Sequence, residues 1–402
     1  MKTNLKRPNP GSENSFTVPQ SLRIILVALL GQIPLLIASI GYAQGSLTPP
    51  GAPSPSMKTL TQIEPRVPIS SAPFTISQSG AYYLTTNLSV TSGDAITIAT
   101  NGVTLDLNGF TISSTEATPA GTAIVINDGV ADLGIFNGHI RGGVTNDGTG
   151  VYSGVGFGNG VYAQGTAVNV RISRISVSGC NSLGILLDIF HPAEVDACAV
   201  SSVGGNGIYA ATVRDCEARD CGGAAITAYR VSDCFGECSG AGEGIDGIDT
   251  AENSVGTSVY AGGVSASVVI NCYGYSGGSG NGISASQVAQ SCCGQSLGGA
   301  GVYAGSAAHN CVGFGASVLD GVDASLGVAG NCYGYASGSG AGVDAFIVDS
   351  CYGSGYSGYG VYAFDQANLS YGTSYSGIGL RAFIANACDG SSVAVTHKYN
   401  MP

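Results

Sequence analysis

The sequence predicts an all-β fold built as a parallel solenoid, a stack of near-identical short coils. Three observations predict it. A pattern of Gly, apolar residue, any residue, Ala, with Cys about ten positions after the Gly, returns in twelve near-regular copies over the last 240 or so residues. Its first position falls at 160, 189, 207, 225, 244, 263, 282, 301, 321, 342, 360 and 379; after a first interval of 29, every step is 18 to 21 residues. A fixed period near 19 marks stacked supersecondary units. Composition agrees: 64 of 402 residues are Gly, which costs about 1 kcal/mol per helix position relative to Ala. A hydrophobic content of 44% also argues against disorder. Within one coil, Cys272 to Gln290, Ile283 and Ala285 alternate with Ser284, the period of a strand with one buried face. The Gly/Ser/Asn-rich stretch from Gly274 to Gly282 suits a tight corner.

In chain order, the N-terminus reads as an export signal (1–43). Lys2, Lys6, Arg7 and Arg23 accompany an apolar run from Leu22 to Ile40, and the small residues Gly41 and Ala43 fit cleavage after Ala43. The alternative is an uncleaved anchor, the one route by which the chain would meet a membrane. Export would leave the chain in the periplasm, at the cell surface or outside the cell. Residues 44–57 are a Pro/Ser-rich linker. Residues 58–90 are expected to cap the stack, 91–392 to form about fourteen coils, and 393–402 to cap the other end, because an open coil end exposes unpaired edge and core. The first coils are longer. Ala95-Ile96-Thr97-Ile98 recurs 28 residues on as Ala123-Ile124-Val125-Ile126, and Asn108-Gly109 recurs 29 residues on as Asn137-Gly138. Residues 142–158 are expected to loop out of the stack.

The segments GDAITIATNGVTLDLNGFTIS (93–113) and FNGHIRGG (136–143) resemble the opening coils of secreted right-handed parallel β-helix proteins of the pectate-lyase-like superfamily. The later coils look like a small bacterial branch of exported β-helix proteins. The resemblance covers roughly residues 60–402 and implies a right-handed parallel β-helix; one fold hosts many activities, so it implies no particular chemistry.

Thirteen cysteines in an exported chain suggest disulfides. However, Cys180, Cys198, Cys216, Cys234, Cys272, Cys292, Cys311, Cys332, Cys351 and Cys388 recur at the coil period, with Ser254 and Ser370 filling two gaps. That spacing predicts an inward column of free thiols. Cys221, Cys238 and Cys293 lie off it, and Cys221 with Cys238 is the best disulfide candidate.

Function on a solenoid sits on outward columns. The third position of each repeat reads Tyr162, His191, Tyr209, Thr227, Asp246, Ser265, Ser284, Tyr303, Asp323, Asp344, Tyr362 and Arg381. Its sharpest cluster is Tyr303, Asp323, Asp344, Tyr362. Two carboxylates on adjacent coils, about 5 Å apart, could raise one another's pKa, hold Ca2+ or act as a glycosidase pair, with the tyrosines stacking on sugar. The plainer alternative is a solvated acidic face. Tyrosines after the Cys, namely Tyr273, Tyr333 and Tyr352, form a second outward strip that could bind carbohydrate. The acid and base signatures of the resembled enzymes are missing: no Lys lies between 59 and 397, and Asn-Thr-Asp, Gly-His-Gly and Arg-Ile-Lys motifs are absent. Arg214, Asp215, Arg219 and Asp220 are expected to form exposed ion pairs among themselves. His139 reads as a turn-adjacent surface residue. The −12 charge and lack of a basic patch exclude nucleic acid as partner. The sequence therefore points to non-enzymatic adhesion, matrix formation or binding of a polysaccharide or cell-surface glycan. The alternative is a polysaccharide-degrading lyase or hydrolase using Asp323 and Asp344.

Overall fold

The structure, a computed structural model, describes residues 64–316 and 318–401. The export signal, the linker and the start of the cap fall in 1–63, outside the described residues. Every described strand except one two-stranded hairpin belongs to a single parallel sheet of 36 strands wound into coils. Among the described residues there is no helix.

One coil shows the plan. A bent strand, Ile283–Gln290, supplies two faces from its two halves, and a short strand, Cys293–Ser296, supplies the third. Each pairs in parallel with its counterpart one coil away, as Ile283 with Val302, Val288 with Ala307, and Cys293 with Val312. The first face runs through sixteen strands from Phe74 to Val393 and the second through seventeen from Pro68 to Lys398. The stack thus has about seventeen turns rather than fourteen. Strands at Val67–Ile69, Phe74–Ile76, Gly80–Leu84 and Leu88–Val90 lie in the segment assigned to a cap, yet all four are rungs of the stack. The terminal strand Val393–Tyr399 is the last rung, mostly exposed on its far side.

The core is a set of single-residue columns. Ile226, Ile245, Val264, Ile283, Val302 and Val322 are all 0% exposed, and the Ala two residues on (Gly247 in the coil of Ile245) is buried as well. Register corrects one repeat. The second copy begins at Gly184, not 189: Val161 pairs with Ile185 and Ile185 with Ile208. Gly184-Ile185-Leu186-Leu187 lacks the final Ala, which hid it. Leu186, not His191, therefore occupies the outward column, and His191 sits in a projecting loop with Nδ1 2.7 Å from Asp188 Oδ2.

All thirteen cysteines are free, and all but Cys293 are buried. Cys221 and Cys238 are not bridged: they are register partners on adjacent rungs, side by side and pointing the same way into the core. Cys180 also changes column. The amides of Gly204, Gly222, Ser239 and Val259 donate to the carbonyls of Cys180, Val203, Cys221 and Cys238 respectively, which places these four in one inward row on the third face. Its 18-residue distance from Cys198 is coincidental, and Ile175 takes its place beside Gly138 in the corner row.

That corner row explains its own composition. Once per coil the chain turns through a residue with positive φ, such as Asn253, Asn271, Asn310 or Asn331, and Asn tolerates that region well. The next residue is the buried Cys or Ser. Cys272 Sγ donates to the Ile270 carbonyl at 3.2 Å, and Ser254 Oγ makes the same bond to Glu252 at 2.6 Å. The same atom accepts the amide of the preceding rung, as Cys332 N to Cys351 Sγ (3.3 Å) and Cys351 N to Ser370 Oγ (3.2 Å). A small side chain with a donor and an acceptor satisfies the corner's backbone where the ladder is interrupted.

Segment 142–158 leaves the parallel ladder, as expected, but folds back against the stack. Its strands Thr145–Asn146 and Tyr152–Ser153 form an antiparallel hairpin. Asn146 Nδ2 (2.6 Å) and Tyr152 Oη (2.9 Å) both donate to Asp220 Oδ1, while Ser202 Oγ holds Oδ2 at 2.9 Å. Asp220 is thus a docking point rather than a member of a surface ion pair. Its neighbours find other partners: Arg214 pairs with Glu194 on an adjacent coil, and Arg219 with Glu217 on its own strand and Glu237 on the next coil while lying over the Phe235 ring. His139 is exposed, with Nδ1 2.6 Å from Ser176 Oγ.

Candidate functional site

The third-position column forms on the first face. Tyr303 pairs with Asp323, Asp323 with Asp344, Asp344 with Tyr362, and Tyr362 with Arg381. The four candidates occupy consecutive rungs, but each is half-buried rather than exposed. Larger side chains two residues further along the strand stand beside them. Phe346, Phe364 and Phe383 are 40%, 64% and 49% exposed, and the first two stack at 5.6 Å.

A third carboxyl joins the pair. Asp320, immediately before the repeat glycine, accepts the Ala341 amide at 2.5 Å. Burial pushes its pKa up to about 6 against that bond, with the Asp323 charge adding to the rise. Asp344 is pushed up to about 7, first by burial and then by the charges of Asp320 and Asp323. Asp323 accepts the Ser325 amide at 3.0 Å. Four rungs earlier Glu243 and Asp246 are likewise raised by burial, with the Ser265 hydroxyl donating to both. Tyr362 stacks on Tyr359 at 5.0 Å, and the Arg381 guanidinium lies near both rings. Among the described residues no group of three or more His, Cys, Asp or Glu side chains is arranged to hold a metal ion.

The tyrosine strip lies on the third face. Tyr273, Tyr333 and Tyr352 all point outward, 38–39% exposed. Register puts Cys293 and Val312 between Tyr273 and Tyr333, so Tyr273 stands apart. Tyr333 and Tyr352 stack at 5.3 Å with planes 1° apart, and Tyr371 continues the row at 5.6 Å. Tyr371 follows Ser370, so the Cys-Tyr-Gly pattern did not reveal it, although Ser-Tyr-Gly at the same period could have.

Two residues along each strand runs a parallel column of Thr257, Tyr275, Gln295, Phe314, Tyr335, Ser354 and Thr373. At the following corner stand Val259, Gly277, Leu297, Ala316, Ser337, Tyr356 and Tyr375, tied rung to rung by backbone hydrogen bonds. Tyr356 and Tyr375 stack at 5.2 Å. Between these columns lie two clefts that meet at Leu297. One of about 390 Å³ is lined by Glu237, Thr257, Val259 and Tyr275, and one of about 320 Å³ by Gln295, Phe314 and Tyr335. Further on, Ser354 and Thr373 form a low floor, with Tyr352 and Tyr371 on one side and Tyr356 and Tyr375 on the other.

No protein-family model matches this chain, and no curated protein is similar to it. Among solved structures the chain is similar to the enzymatically active domain of tailspike protein 2 of bacteriophage CBA120. Identity is 13% and the TM-score 0.26, over 72% of this chain and 42% of that one. A likeness this distant bears on neither site.

Proposed function

We propose that the chain is an exported parallel β-helix that binds polysaccharide or cell-surface glycan along its third face, without cleaving it. The observation that carries this reading is the stacked row of outward tyrosines Tyr333, Tyr352 and Tyr371 on the same face as two clefts that meet at Leu297. Such a strip presents a line of ring edges and phenolic hydroxyls beside apolar clefts, a combination that can recognise carbohydrate. Contiguous exposed aromatic area on a folded protein marks an interaction surface. Export, and kinship with the pectate-lyase-like superfamily, rest on the N-terminal segment and the opening coils.

A second reading, glycoside hydrolysis on the first face, is favoured by one feature: burial pushes the Asp344 carboxyl up to about 7 and that of Asp320 up to about 6, beside Asp323. A carboxyl protonated near pH 7 beside an ionised neighbour is the pairing an acid-catalysed glycosidic cleavage needs. Against it, the coils from 198 to 388 carry no long loops that would wall a cleft.

Both readings are tested by incubating the chain with a panel of polysaccharides, with and without Ca2+, and measuring retention and product length together. Retention with intact chains, weakened by Tyr352→Ala and unchanged by Asp344→Asn, is the expected result. Shortened chains that disappear in Asp344→Asn would establish the second reading instead.

A further inference from the structure

The charge pattern of the third face narrows the ligand. Fourteen outward positions face solvent on seven successive rungs, from Val255 and Thr257 to Tyr371 and Thr373, and none is charged. The adjoining corner residues from Val259 to Tyr375 are uncharged too. Charge returns at both ends of this strip: Glu217, Arg219 and Glu237 on the rungs before it, Asp389 on the rung after. The strip is roughly 29 Å long at about 4.8 Å per rung.

Ring orientation adds a second constraint. Tyr333, Tyr352 and Tyr371 are stacked face to face, so within the row most ring faces are covered by one another. What the row offers a ligand is its edge, a line of phenolic hydroxyls repeating once per rung. Tyr356 and Tyr375 present the same arrangement across the Ser354 and Thr373 floor. A hydroxyl row with a fixed repeat matches a polymer whose own hydroxyls repeat at a similar distance along a straight chain, which a pyranose chain provides.

We infer that the third-face groove takes an uncharged, unbranched glycan lying parallel to the solenoid axis, about one sugar per rung. This rests on the glycan-binding reading above and specifies its ligand. A carboxylate on each sugar would be partly desolvated against Tyr, Phe, Val and Leu with no cation to meet it, and an ammonium would find an opposite charge only at Glu237, at one end of the strip. A branch would collide with the tyrosine rows on either side of the floor.

The test uses the full chain and linear β-1,4-glucan and β-1,4-mannan, each before and after oxidation of its primary hydroxyls to carboxylates. The expected result is binding to at least one neutral polymer, with the oxidised form at least about tenfold weaker, a loss that one unpaired charged group suffices to produce. Binding should persist at high salt, since no ion pair contributes. Affinity for oligosaccharides should rise with length and level off near the number of rungs. Tyr352→Phe, which keeps the stack and removes one hydroxyl, should weaken binding about two- to tenfold without lowering the melting temperature. Equal or tighter binding of the oxidised polymer would overturn the inference and leave glycan binding standing. Failure of every polymer in both forms would remove the glycan reading itself. A dimer by sedimentation that Tyr352→Ala dissociates would reassign the strip to self-association.

Discussion

Asp344 shows how a single buried group links the fold to its conditions. Burial lifts its carboxyl from the ordinary 3.8 to about 7, so the folded chain holds a proton there that the unfolded chain has already released. Stability from this group is complete below about pH 4 and is lost as the pH rises through about 7. Asp344→Asn removes the titration. We expect the variant to match the parent at pH 4 and exceed it at pH 8 by on the order of 2 kcal/mol after solvent screening, read from denaturant unfolding at both values. Equal differences at the two pH values would show that Asp344 is ordinary surface. The Asp323–Asp344 pairing was legible in the sequence because both occupy the same repeat position. Asp320 was not, since it precedes the repeat glycine, at a position that is Ala in both neighbouring coils (Ala300 and Ala341). Phe346, Phe364 and Phe383 escaped for the mirror-image reason: they follow the repeat's Ala and matter only once strands are laid side by side.

At the scale of one coil, two glycine columns set the size. A Cβ on Gly313 would lie 1.9 Å from the Gly321 carbonyl oxygen, and Gly274 would meet Gly282 at the same distance. The first and third faces therefore touch backbone to backbone, and no side chain fits between them. The approach to that state is graded. The inward third-face residue runs Val177, Val200, Ala218, Gly236 on successive rungs. Meanwhile the first-face spacing falls from 24 residues between Val161 and Ile185 to 18 between Ile208 and Ile226. Short coils and small inward residues are one fact. Gly313→Ala should destabilise the chain by about 3 kcal/mol or more, because backbone cannot yield as a side-chain end can; thermal unfolding beside Gly134→Ala, where nothing lies within 4 Å and φ is not positive, supplies the comparison. The period of 18 to 21 was legible because these contacts demand Gly at fixed phase. The 184 repeat was obscured because its coil is wider and admits Leu187 where the narrow coils require Ala.

Over the whole molecule the charges are segregated along the axis. No Lys or Arg occurs from 231 to 380, whereas five arginines lie between 171 and 230. The C-terminal coils thus present acidic and aromatic columns on the first face and a neutral tyrosine groove on the third. A parallel stack makes such segregation easy, since each outward column can change residue by residue without disturbing the core columns behind it. It also explains why fold was more legible than function. Core columns repeat and reveal themselves in one coil, while a site is assembled from residues about 19 apart that need not resemble one another. The most direct test of the account is a crystal structure of the chain with a neutral linear hexasaccharide. The account predicts sugar along the third face, in contact with the hydroxyl edges of Tyr333, Tyr352 and Tyr371. Sugar seated instead across Asp323 and Asp344 on the first face would contradict it.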